Sequence, residues 1–192
     1  MKSRIYMTSD EHYHHVNILK HCSRPFETVE QMDQALIDEH NKVVKDGDTV
    51  YHLGDFTFQP ITKVVETLKQ LNGSHMFIQG NHDHWFDESD ATLKALPNKK
   101  YLGRKMMHEF KQNGVTVVLC HYPMVTWNKA FRDSLQFYGH CHSKMEDKYN
   151  RGKQMDVGVD NAYKLLGQYR PFSVEEARDM VKDRQRIEII SD

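Results

Sequence analysis

Five short stretches of this chain set carboxylates, imidazoles or an amide directly after an apolar run. In order they are Asp10 with His12, Gly54-Asp55, Gly80-Asn81-His82-Asp83-His84, His121, and Gly139-His140-Cys141-His142. The third is the plainest: Phe77-Ile78-Gln79 stops at a glycine, and four ligand-grade side chains follow. An apolar segment meeting glycine reads as a buried strand entering a tight turn. Asn81, His82, Asp83 and His84 then project from the strand's carboxyl end, where open α/β sheets place their sites. A polar loop is the bland reading of any one such stretch, and the repetition of the pattern argues against it. The chain also holds 13 histidines. Neutral imidazole beside carboxylate oxygen is ordinary metal-binding chemistry.

Spacing narrows the chemistry. Asp10 and His12 lie two apart, as do His140 and His142, so in extended backbone each pair faces one side. The groups able to converge are the carboxylates of Asp10 and Asp55, the amide oxygen of Asn81, and the imidazoles of His12, His121, His140 and His142, with His82 left over. That set is too large for one tetrahedral zinc and suits two metals sharing a bridging carboxylate. Oxygen and imidazole without thiolate point to manganese, iron or zinc rather than copper(I) or an iron–sulfur cluster. Cys120 and Cys141 sit next to ligands but alternate to the opposite face, as small core residues would.

The elements that must position these groups follow from periodicity. Arg4–Thr8, Thr49–Leu53 and His75–Ile78 read as strands. Between them come a short helix from His15 to His21, a helix capped by Thr28 and stopped by Asp46-Gly47, and a helix begun by Pro60 and ended by Asn72-Gly73. Asp90–Leu96 reads as helical, with Pro97 ending it. Arg104–Lys111 and Val115–Cys120 flank Asn113-Gly114, a strong hairpin signal. Leu135–Tyr138 and Met155–Val159 are further strands. Ser173 caps a helix through about Lys182, and Arg186–Ile190 reads as a closing strand. The charged stretches at 98–100 and 144–148 read as solvated loops. The order predicts an α/β layered sandwich, parallel strands first and antiparallel ones later, in a single domain spanning 1–192.

Composition removes several classes of function. Hydrophobic residues make up 39% of the chain and the formal charge is −1, so there is no global pull toward nucleic acid or anionic membrane. No apolar run approaches the roughly 18 residues of a membrane span. The stretch before Thr8 is too short for a signal-peptide core. Cys22, Cys120 and Cys141 are an odd number without CxxC spacing, which fits a reduced cytoplasm.

Taken together, Asp-x-His, Gly-Asp, Gly-Asn-His-Asp, a lone His and Gly-His-x-His resemble the calcineurin-like metallophosphoesterases, from Ser9 to His142. Within that superfamily the chain is similar to the small single-domain phosphoesterases of bacteria and their phages. The likeness there rests on Arg24-Pro25-Phe26, on His121-Tyr122-Pro123-Met124 with Trp127-Asn128, and on the segment Asp156–Asp160. The resemblance implies an αββα-type sandwich with two mixed sheets and a binuclear site at the carboxyl ends of strands. One metal would take Asp10, His12, Asp55 and His142; the other would take Asp55, Asn81, His121 and His140. A hydroxide held between them would attack phosphorus, and His82 would serve the leaving oxygen as catalytic acid. Two divalent ions are implied, manganese first, with iron, zinc or nickel as alternatives.

The expected activity is phosphodiester hydrolysis on small cyclic or linear nucleotide derivatives, with no membrane partner. A broad phosphomonoesterase, a nuclease acting on nucleic-acid ends, and a non-catalytic scaffold are the alternatives. The sequence departs from the protein-phosphatase branch at Phe56-Thr57-Phe58, which leaves open what orients His82, with Asp83 a candidate. Asn17 and Arg24 could meet a substrate phosphate, and a nucleobase could stack on Trp127. For Arg24 a surface role beside a turn, and for Trp127 packing on the domain, are the competing readings. His14, His15 and His84 read as supporting or surface groups. Asp156 and Asp160 flank a strand near the site and read as structural or supporting groups, with Asp160 the one facing the metals.

Overall fold

The computed structural model describes residues 3–145 and 152–188. Its first sheet contains β1 (Ile5–Thr8), β2 (Thr49–His52), β3 (Ser74–Ile78), β4 (Tyr101–Lys105) and β9 (Phe172–Ser173). The strand order is β4-β3-β2-β1-β9, parallel except for β9. The second sheet contains β5 (Met107–Gln112), β6 (Val115–Cys120), β7 (Leu135–Tyr138) and β8 (Gln154–Asp156), in sequence order. Together they make the layered α/β sandwich of two mixed sheets that the motif order implies.

Strand alternation builds two cores. Met7, Tyr51, Leu53 and Ile78 face Val117, Leu119, Leu135, Phe137 and Met155 between the sheets. On the other face of the first sheet, Phe77 and Phe56 pack with Met32 and Leu36 of α2 (Val29–Val43) and with Val64 and Leu68 of α3 (Ile61–Leu68). The outer side of the second sheet carries Val118, over which Met124, Trp127 and Ala130 of the following loop pack. Thr28 Oγ1 accepts from the Gln31 N–H at the start of α2. Ser173 does the same for Glu176 at the start of α6 (Val174–Val181). Both caps satisfy a helix donor that would otherwise lack a partner.

Several elements differ from the sequence reading. The run 104–111 is not one strand: the chain changes sheets at Met106, so Arg104 and Lys105 belong to β4 beside β3, and only Met107 onward joins the hairpin. The later strands are mainly parallel, because β7 and β8 each arrive from a crossover instead of a tight turn. Met155–Val159 is cut short at Asp156, since Gly158 caps a helix that the alternation hid, α5 (Val159–Leu166). Residues 186–188 form no strand, and 189–190 lie outside the described residues, as do 146–148 of the charged loop. The shortest expected helices are present as α1 (Val16–His21) and α4 (Ala91–Lys94).

Candidate metal centre

The carboxyl ends of β1, β2, β3, β6 and β7 open onto one place. Beyond β1 and β2 the ladder runs on through the loops, with Asp10 N–H donating to Gly54 O at 3.0 Å and His12 N–H to Asp55 O at 3.0 Å. Asp10, His12, Asp55, His140 and His142 all take left-handed backbone, with φ between 45° and 67°. Asp, Asn and His enter that region more readily than other residues with a Cβ. Glycine appears where the loops touch. A Cβ on Gly139 would strike Ser9 Oγ and Asp10 Oδ2, and one on Gly54, at φ +98°, would strike His121 Nδ1.

Three groups able to hold a metal ion result among the described residues, of which Cys22, His142 and Asp160 are one. The two Asp/His clusters are Asp10, His12 and His142, and Asp55, His121 and His140, each with its ligand atoms within 4.8 Å of one another. Asp55 Oδ2 stands between them, 3.7 Å from His12 Nε2 and 3.6 Å from His121 Nε2. Asn81 Oδ1 joins the second cluster at 3.1 Å from His121 Nε2 and 3.0 Å from His140 Nδ1. Every ligand position expected from the sequence therefore lines this one place.

The donor set fits a cation on two counts. Both ring nitrogens of His12 are buried without a hydrogen-bond partner among the described residues, an arrangement a neutral imidazole tolerates poorly unless a metal takes its lone pair. His121 Nδ1–H donates to Leu53 O at 2.7 Å, so Nε2 turns a lone pair toward the Asn81 oxygen. A cation between them would satisfy both acceptors. Burial also keeps these rings neutral: it lowers His12 to a pKa of about 2 and His121 to about 4. Burial likewise pushes the Asp10 and Asp55 carboxyls upward in the metal-free protein.

Further contacts fix the side chains of these clusters. His142 Nδ1 lies 2.7 Å from Asp160 Oδ2 and 3.3 Å from Cys22 Sγ, leaving Nε2 toward Asp10 Oδ1 at 3.8 Å. Burial opposes charge on His142, yet the bond to Asp160, with Cys22 and Asp10 nearby, carries its pKa up to about 10. A carboxylate on the far nitrogen of a ligating imidazole is a common way to set its tautomer and orientation. Asp160 in turn receives Arg24 Nε and Nη2, both at 2.9 Å. Asp83 is buried and accepts from Asp55 N at 2.8 Å, Gly80 N at 2.9 Å, Phe56 N at 2.9 Å and Trp85 Nε1 at 3.1 Å. It ties the Asp55 loop to the Asn81 loop and does not orient His82.

What lies against His82 is Phe58, with ring centroids 4.2 Å apart; the His82 N–H donates to Asp55 Oδ1 at 2.9 Å. Phe58 also meets His15 at 4.4 Å and stacks on His12 at 5.5 Å. The substrate contacts expected of Arg24 and Trp127 do not match their surroundings. Arg24 is buried, and besides Asp160 it donates to the carbonyls of Glu11 at 2.8 Å and Asp10 at 2.7 Å. Trp127 is 7% exposed and gives its indole N–H to Ser134 Oγ. Asn17 is on the exposed side of α1, and His84 is also exposed. His14 turns away to Asp33, at 2.7 Å. The exposed ring beside the clusters is Tyr122, 45% accessible and edge-on to His140 at 4.8 Å. In the sequence Tyr122 is legible only as part of the His121-Tyr122-Pro123-Met124 motif.

Fold and site thus define a layered α/β protein with paired Asp/His clusters at its strand ends. No protein-family model matches the chain. It is 32% identical over 195 residues to the uncharacterized protein MJ1445 of Methanocaldococcus jannaschii, covering 98% of this chain and 97% of that one. The chain belongs to the same family as that protein. The crystal structure of AQ665 from Aquifex aeolicus, a protein of unknown function, superposes with a TM-score of 0.70 at 24% identity. That match covers 94% of this chain and 100% of that one, and it shows the shared fold. A Streptococcus pneumoniae protein described as a predicted phosphoesterase overlaps with a TM-score of 0.37 at 16% identity, over 83% of this chain and 73% of that one. An overlap that loose carries no argument by itself.

Proposed function

We propose that this protein is a metal-dependent phosphoesterase, with small nucleotide-type phosphodiesters as its preferred substrates. The observation that carries the reading is the convergence of two Asp/His clusters on the single carboxylate of Asp55, with an uncommitted histidine, His82, at their side. Divalent cations bound there would neutralise phosphoryl oxygens and lower the pKa of a water molecule. The chain's own residues have separate tasks. Asp55 holds the clusters at one spacing through its Oδ2, while its Oδ1 accepts the His82 N–H and fixes that residue's backbone. The His82 ring, packed on Phe58, donates a proton or hydrogen bond to the departing oxygen. His121, oriented by Leu53 O, presents a fixed lone pair, and His142, oriented by Asp160, would present one once a bound cation displaces its Nε2 proton. Tyr122 offers the aromatic surface nearest the clusters for the ester's organic group.

The test is a screen of the manganese-loaded protein across 2′,3′-cyclic and 3′,5′-cyclic nucleotides, linear diesters and monoesters. Diester cleavage should exceed monoester cleavage, vanish on metal depletion, and be lost in Asp55→Ala. Activity that survives depletion, or persists in Asp55→Ala, refutes the mechanism. Faster cleavage of a monoester than of its diester analogue refutes the substrate preference alone.

A further inference from the structure

Beneath the metal centre runs a row of buried polar side chains that the chemistry above does not use. Glu11, the residue between Asp10 and His12, points to the helix-covered face of the first sheet. Its Oε1 lies 2.6 Å from His52 Nδ1, and His52 Nε2 lies 2.9 Å from His75 Nδ1. The row therefore crosses from the loop after β1 to the last residue of β2 and on to β3. All three residues are buried, Glu11 at 2% exposure and His75 at 0%. The His52 ring is held face to face with Phe77 at 4.8 Å and edge-on to Phe56 at 4.9 Å. Glu11 Oε2 and His75 Nε2 have no hydrogen-bond partner among the described residues.

Such a row is costly. A carboxylate and two imidazoles taken from water into an aromatic core lose hydration that two hydrogen bonds only partly return, and apolar side chains of similar volume would pack there without that cost. Its position explains its presence. Asp10 and His12 take left-handed backbone at φ 58° and 52°, a conformation that costs about 1 kcal/mol or more per residue and persists only when the surroundings impose it. Arg24 grips this turn through the carbonyls of Asp10 and Glu11. Those bonds hold the main chain from one side, and the Asp10 and His12 N–H groups tie it to Gly54 O and Asp55 O along its edge. The Glu11 side chain supplies the opposing anchor, tied to β2 immediately before the Gly54-Asp55 loop. Glu11 is bonded on either side to Asp10 and His12, so anchoring its side chain restrains the main chain that carries both.

We infer that Glu11 and His52 are positioning residues that brace the Asp10–His12 turn from below and so set the metal affinity of the Asp10, His12 and His142 cluster. The inference rests on the metal-dependent reading of that cluster. Removing a group that orients ligands typically costs 10- to 100-fold in metal affinity.

The experiment is a manganese titration of the metal-free protein against a competing chelator, with free manganese read by electron paramagnetic resonance. It compares the wild type with Glu11→Ala, Glu11→Gln and His52→Phe, each first checked for folding by circular dichroism in EDTA. The wild type should bind two ions per chain. Glu11→Ala and His52→Phe should weaken one of them by roughly 10-fold or more and leave the other within about 3-fold, because His121, His140 and Asn81 do not touch the brace. Glu11→Gln keeps an oxygen that can accept the His52 N–H and should stay within about 3-fold of wild type. If Glu11→Ala does not fold, His52→Phe against Glu11→Gln carries the comparison, since phenylalanine keeps the aromatic packing. Wild-type affinity for both ions in the folded variants would overturn the inference, as would equal weakening of both ions or a Glu11→Gln protein as impaired as Glu11→Ala. A wild type that binds no manganese would instead remove the metal reading itself.

Discussion

Replacing Asp83 by asparagine should be far from conservative. Oδ2 accepts the N–H groups of Asp55 at 2.8 Å and Gly80 at 2.9 Å, while Oδ1 accepts those of Phe56 at 2.9 Å and Trp85 Nε1 at 3.1 Å. Oδ1 also receives the Thr57 N–H at 3.4 Å, and only an acceptor-only group satisfies all five. An amide in either orientation turns its NH2 toward at least two of these donors, leaving them without a partner in a buried place. At about 1–3 kcal/mol per unsatisfied donor, Asp83→Asn should lose about 4 kcal/mol, a large part of the roughly 5–15 kcal/mol that holds a domain folded. The assay is urea unfolding in EDTA, which removes any stabilisation from bound metal. The m-value should be unchanged and the midpoint should fall. A loss below about 1 kcal/mol would refute the claim that Asp83 is the tie between the two ligand loops.

Further predictions follow from other contacts. Gly139→Ala places a methyl against Ser9 Oγ and Asp10 Oδ2; the protein should fold but bind manganese at least ~10-fold more weakly, read by the same chelator competition. Burial lowers the His40 pKa to about 3 and that of His75 well below the usual value. The unfolded chain therefore takes up their protons first, so stability is full above about pH 6.5 and falls as pH drops below it. His40 alone should cost about 2 kcal/mol by pH 5. Urea midpoints at pH 7.5 and pH 5 measure this, and His40→Gln should show the shallower dependence. Tyr122→Ala should raise KM for a nucleotide diester by about 5-fold or more, with a smaller effect on a methyl diester, if its ring stacks on the base. Equal effects on both substrates would speak against stacking.

The positions that make up the two clusters were legible in the sequence because each sits where an apolar run breaks at a turn, and such breaks survive translation into structure. Asp160 was legible only as a neighbour. Alternation carried the strand on through Val159, whereas Gly158 starts α5 and turns Asp160 toward His142. Arg24 could not be placed without its partners: in one dimension it is an arginine beside a turn proline, and its five contacts lie on segments up to 136 residues away. The break at Met106 was hidden for a related reason. Two strands of different sheets join there with no glycine or proline between them, so the periodicity reads as one run. Glu11 could not be placed from the sequence for the same reason as Arg24, since its partner His52 lies 41 residues away.

The left-handed backbone of Asp10, His12, Asp55, His140 and His142 has a consequence for altering this protein. Retuning a metal centre ordinarily means exchanging ligand types, such as cysteine for a softer ion or glutamate for a longer reach. Here the main chain itself resists those exchanges. Aspartate, asparagine and histidine enter this conformation with comparative ease, and cysteine and glutamate lack that preference. The alphabet open to these five positions is therefore short. Asn81 and His121 are not among the positions with positive φ, and they are where a change of metal preference should begin.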